Sequence, residues 1–188
     1  MSHQPVEFAR EFRQNIADTL LAAQHCVEQR QQVPALILMY SLVDSLAWAS
    51  YGPSSTVGVR ERFESWTTQW LLPHLGVAFP EIAAADLYAA RCAVLHTMTG
   101  DSDLSRKGKA RRIMYAWDDA DVEVLRTWIG SGLQATHVPL HYDGLLNSLM
   151  WSAAVFLEDA SRDPALSKRV LAAAGRHYVN VDVKRGAV

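Results

Sequence analysis

The chain has 188 residues, 49% of them hydrophobic and 20% charged, with a formal net charge of −2 and a mean hydropathy of −0.03. That length suits one domain, residues 1–188, with a substantial core, and the composition excludes disorder on a large scale. The near-neutral charge excludes a general polyanion binder, so any nucleic-acid contact has to come from a local patch.

Phe8, Phe12, Ile16, Leu20, Ala23 and Val27 recur at three- and four-residue steps among Glu, Arg and Gln, which predicts an amphipathic helix over residues 5–31. Pro34 opens a second helix at a first-turn position, and Gly52-Pro53 stops it after Tyr51. This helix is apolar nearly all round, which places it at the centre of a bundle. Asp44 in its middle then needs a partner. Val59, Phe63, Trp66 and Trp70 form the stripe of a third helix over residues 58–72, ended by Pro73. A fourth, over residues 81–97, carries Leu87, Tyr88, Val94 and Leu95 together with Arg91 and His96.

From Met98 to Lys109 the chain is polar. Residues 111–117 then alternate like a short strand, residues 119–130 read as a helix closed by Gly130 and Gly132, and residues 134–141 read as a second strand. Two strands flanking a helix form a small appendage to the bundle. Helices over residues 143–160 and 164–178, separated by Arg162-Asp163-Pro164, complete the chain. The fold class is all-α: a bundle of four to five core helices, additional C-terminal helices and a two-stranded appendage.

Cys26 and Cys92 both lie in apolar helical surroundings, the pattern of buried free thiols in a reducing compartment, and the cytoplasm is the expected location. Glu7, Arg10, Glu11, Arg13 and Asp18 interrupt the first twenty residues, so no signal peptide is expected. The apolar run at residues 33–42 is too short to span a bilayer, so no membrane insertion is expected.

The chemistry concentrates in Arg91-Cys-Ala-Val-Leu-His96, at the end of the fourth helix. Arg offers a planar fork of donors to a phosphate oxygen, and a His titrating near neutrality moves protons in either direction, so the pair suits phosphodiester chemistry without a metal. Five residues of α-helix rotate by about 500 degrees, leaving the two side chains about 140 degrees apart. They are therefore expected to meet only if the helix ends near His96 or a second subunit completes the site.

This spacing resembles the R-x(4–6)-H motif of the HEPN superfamily of helical-bundle RNases and nucleotide-binding proteins. The segments Ala35-Leu-Ile-Leu-Met-Tyr-Ser-Leu-Val-Asp44 and Ala90-Arg-Cys-Ala-Val-Leu-His96 are similar to uncharacterised bacterial proteins of that helical type. The superfamily often has Asn, Asp or His after the Arg, where this chain has Cys92. The resemblance implies that Arg91 binds the scissile phosphate and that His96 assists proton transfer at the ribose 2′-hydroxyl or the leaving oxygen. It also implies RNA or a nucleotide as ligand, a homodimer paired through the motif-bearing helices, and an antitoxin-like protein partner in a bacterial defence setting.

Asp44 is expected to face the Arg91 guanidinium, with Arg60, Arg62 and Tyr88 as rival partners; Tyr88, one turn before the motif, and Cys92, within it, are supporting residues. Arg106, Lys107, Lys109, Arg111 and Arg112 place five cations in seven residues, which reads either as an RNA- or phosphate-binding surface or as a solvated loop balanced by nearby aspartates. Cys92 with His96 and His137 with His141 have ligand spacing, but no third and fourth ligand follow, so neither a metal nor a cofactor is expected. Of the six tryptophans, Trp117 beside the basic run is the candidate for base stacking. Two functions follow: a metal-independent endoribonuclease using Arg91 and His96, or a non-catalytic dimerisation or partner-binding module in which Arg91, Asp44 and His96 stabilise the bundle.

Overall fold

A helix with no polar face has to be surrounded, and α2 (Gln32–Tyr51) is: it touches α1 (Gln4–Glu28), α3 (Val59–Trp66), α5 (Ala84–Thr97), α8 (Tyr142–Arg162) and α9 (Pro164–Ala174). The computed structural model describes the backbone of residues 4–176 and the side chains of residues 9–176. Phe8 of the first stripe and the end of the last predicted helix, residues 177 and 178, lie outside those described side chains and residues. By length and composition α2 would cross a bilayer, yet Leu36, Met39, Tyr40, Val43 and Leu46 are buried within the protein. Phe12, Ile16 and Ala23 of α1 pack on the same core. The first helix stops at Glu28, short of the expected residue 31, because Arg30 takes a left-handed conformation (φ 57).

Pro73 does not end the third helix. After α3 the chain widens into a π-helical turn, Thr67–Leu71, and continues as α4, Leu72–Leu75, with Pro73 in its first turn. The wider turn accommodates a residue that has no N–H to give and whose ring would strike the carbonyl four residues back. Trp70 in this turn donates Nε1–H to Asp159 Oδ2 of α8 at 2.8 Å, while its ring meets Phe156 edge-on. The fourth predicted helix, α5, starts at Ala84, three residues later than expected, because Ala83 is extended (φ −106, ψ 156) and Asp86 accepts from its N–H at 3.1 Å.

Beyond α5 come a single turn, α6 (Asp103–Arg106), and a strand–helix–strand unit: β1 (Arg112–Ala116), α7 (Val122–Gly130) and β2 (His137–His141). The strands pair in parallel, Arg112 opposite His137 and Ala116 opposite His141. Arg112 N–H donates to Thr136 O at 2.8 Å, and the same register points the nitrogen of the buried Pro139 away from β1, where its missing N–H costs no ladder bond. Tyr115 joins the appendage to the bundle through a 2.6 Å hydroxyl contact with Tyr40 of α2; burial pushes both phenols above their ordinary range. Helix α8 follows β2 directly. A Cβ at Gly144 would lie 2.5 Å from the Phe79 ring, so glycine lets the start of α8 pack this close to the connection between α4 and α5.

Candidate functional site

Helices α2 and α5 meet at one ion pair. Arg91 donates from Nε and Nη2 to the same oxygen of Asp44, Oδ2, at 2.7 and 2.5 Å. Of the three partners considered besides Arg91, Tyr88 and Arg60 stand around the pair and Arg62 contributes only through its charge. Burial lifts the Asp44 carboxyl above its ordinary value, against the opposing pull of the Arg91 hydrogen bond and charge. Burial by itself would lower the Arg91 pKa, but the bonds to Asp44 raise it. The guanidinium is a fixed cation 14% exposed, and among the described residues Asp44 Oδ1 accepts no hydrogen bond.

The third nitrogen of Arg91 meets the rest of the motif. Nη1 lies 3.3 Å from His96 Nε2 and 3.9 Å from Cys92 Sγ. Of the two routes expected to bring Arg91 and His96 together, the first describes this chain: α5 ends at Thr97, one residue past His96, and the long Arg side chain spans the rotation between the two positions. The contact forms within one chain, with no second subunit required. A guanidinium only donates, so Nε2 is the acceptor and the ring proton sits on Nδ1. Met98 then ends the helix in a left-handed conformation (φ 53), and His96 is exposed at its tip.

His96 also lines a cavity of about 510 Å³ between α5 and α6. Tyr88, Cys92 and His96, at i, i+4 and i+8, form one wall; Arg60, Asp101, Asp103 and Arg106 supply charge around it. The Arg60 and Arg91 guanidinium carbons lie 5.8 and 5.9 Å from the Tyr88 ring centre, within cation–π reach, while Phe63 meets the ring edge-on. Cys26 and Cys92 are both free thiols, half-buried and not fully enclosed.

The basic run divides. Arg106 pairs with Asp103 and with Asp101 (3.6 Å), and Arg112 with Asp101 at 3.0 Å, so acids of the same loop hold two of its cations. Lys107 and Lys109 are exposed and make no ion pair among the described residues. Arg111 turns inward: its Nη2 donates to Asp86 Oδ2 at 2.7 Å and to Glu81 O, while its backbone N–H donates to Asp86 Oδ1 at 2.7 Å. Asp86 thereby staples β1 to the start of α5. Sequence reasoning missed this buried acid, whose one available signal was a lone carboxylate two residues into an alanine-rich helix.

Trp117 is half-buried and packs on Tyr142. His137 Nδ1 contacts Thr136 Oγ1 at 2.8 Å, and His141 contacts Asp118 O and accepts from Asp143 N–H, capping α8. Among the described residues no three His, Cys, Asp or Glu side chains converge as metal ligands. Compared with known proteins, the chain matches no family model, no curated protein and no solved structure.

Proposed function

We propose that this chain is a HEPN-like, RNA- or nucleotide-directed cytoplasmic protein that cleaves RNA without a metal, with Arg91 and His96 as its catalytic pair. The observation that carries the reading is the 3.3 Å approach of Arg91 Nη1 to His96 Nε2 at the rim of the α5–α6 cavity, with Asp44 fixing the guanidinium from behind. A phosphate oxygen entering here takes the Nη1 donor from His96. The freed Nε2 accepts the proton of the ribose 2′-hydroxyl as its oxygen bonds to phosphorus, the leaving 5′-oxygen takes a proton from water as its bond to phosphorus breaks, and His96 returns its proton to the resulting hydroxide. Lys107 and Lys109 extend the phosphate-binding surface, flanked by the acid-paired Arg106 and Arg112, while Arg111, turned inward, takes no part in it. A homodimer and an antitoxin-like partner belong to this reading through the superfamily resemblance.

One observation favours a second reading. Asp44 already takes both Nε and Nη2 of Arg91, which suits a structural ion pair in a non-catalytic dimerisation or partner-binding module. Incubating a mixed RNA pool in EDTA with the wild type, Arg91→Ala and His96→Ala separates the two. The nuclease reading requires cleavage that both substitutions abolish while folding persists; an inactive wild type leaves the structural reading.

A further inference from the structure

Helix α8 turns an exposed stripe to solvent: Asp143, Asn147, Met150, Trp151, Ala154, Glu158 and Arg162. Their spacing keeps them within a face about 120 degrees wide and about 28 Å long. Trp151 is 67% exposed and Met150 41%, at the middle of a helix whose other side is core. An isolated exposed leucine needs no explanation, but a tryptophan and a methionine side by side, flanked by polar residues, have the composition of an interface centre.

The charges say what covers it. The stripe carries an acid at its N-terminal end, Asp143, and the Glu158–Arg162 pair at its C-terminal end, and no charge between Asn147 and Ala154. We infer that a second copy of this chain docks on it, α8 against α8, antiparallel about a two-fold axis. In the register that sets Trp151 over the partner's Ala154, Asn147 meets the partner's Glu158 and Asp143 meets the partner's Arg162. The same operation repeats each pair, so two ion pairs close the ends of one apolar centre. Arg162 already holds Glu158 at 2.5 Å within its own helix, so each end becomes a three-charge network, and the two helix dipoles run antiparallel. Ala154 is the small residue a tryptophan needs opposite it. A single helix pair lies at the small end of stable interfaces, so the dimer is expected to dissociate on dilution. The motif helix has no comparable exposed apolar face: its exposed residues are His96 and Thr97 at the tip. This interface is distinct from a pairing through α5, and it does not depend on the nuclease reading.

Sedimentation equilibrium of the full chain over a range of concentrations tests the interface. Trp151→Arg is expected to weaken association about 30-fold or more, the loss for a central anchor. Asp143→Arg is expected to weaken it about 10-fold, and the charge swap Asp143→Arg with Arg162→Asp to restore it to within about threefold, because each copy again presents opposite charges. A wild type that stays monomeric, a dimer indifferent to Trp151→Arg, or a swap that fails to rescue each overturns the assignment. A monomer whose Trp151 fluorescence shifts to the blue on anionic lipid vesicles gives the stripe to a membrane surface instead.

Discussion

Two aspartate–arginine pairs join distant parts of this chain, and they are built differently. Asp86 is 4% exposed and its two oxygens accept from Ala83 N–H, Arg111 N–H and Arg111 Nη2, so the carboxylate is saturated. Asp44 is 23% exposed, engages Arg91 through one oxygen, and leaves the third nitrogen of that guanidinium to an exposed histidine beside a cavity. A saturated buried carboxylate can only hold the fold together. A half-engaged pair holds the fold and also presents oriented donors to a ligand.

If that distinction is right, the two pairs respond to substitution in opposite ways. The largest effect is expected at His96→Ala: RNA cleavage falls about 100-fold or more, the loss of a proton-transfer group, while stability stays within about 0.5 kcal/mol because the side chain is exposed. Parallel assays of cleavage and thermal unfolding check both halves, and an equal loss in the two would erase the contrast. Next is Asp86→Ala, which strands the Arg111 guanidinium and two backbone N–H groups. It is expected to cost about 3 kcal/mol in urea unfolding, the lower end for a broken buried pair because Arg111 is 30% exposed. Asp44→Ala should cost less, about 1 to 2 kcal/mol, since water reaches the pair, and a cost above that of Asp86→Ala would reverse the assignment of roles.

The smallest effect concerns pH. The Asp44 pKa is raised above its ordinary 3.8 by burial, so between that value and its folded value the native chain binds more protons than the unfolded one. The contribution of this group is then fully present below the unfolded pKa and fades as pH rises through the folded pKa. Wild type is therefore expected to gain on Asp44→Asn as pH falls from about 6 towards about 4, read as the difference between their urea midpoints; a difference that shrinks instead would mean Arg91 outweighs the burial.

The half-engaged pair was largely legible in the sequence, and the saturated one was not. Asp44 stood out because it interrupts a helix apolar on every side, and Arg91 was its expected partner four dozen residues on; both follow from the cost of burying an unpaired charge. The central place of α2 and the two strands flanking α7 were readable for the same reason, since each rests on a local pattern. Asp86 offers no such pattern, because the three donors it collects come together only when β1 docks on α5. Pro73 misled as a helix stop, since the π-helical turn before it depends on how Trp66 and Trp70 pack against Phe156. The Arg91–His96 contact was legible only as conditional on the helix ending near His96, because neither that boundary nor the reach of the arginine is set by a local pattern. The inward turn of Arg111 depends on Asp86, so a run of cations could not reveal which of them face solvent.

One experiment places both pairs on the same scale: RNA cleavage in EDTA and thermal unfolding, measured together for the wild type, His96→Ala and Asp86→Asn. The account predicts that the wild type cleaves, that His96→Ala melts with it and does not cleave, and that Asp86→Asn melts several degrees earlier yet still cleaves while folded. A wild type that leaves the RNA intact, or a His96→Ala protein that cleaves as well as the wild type, would contradict it.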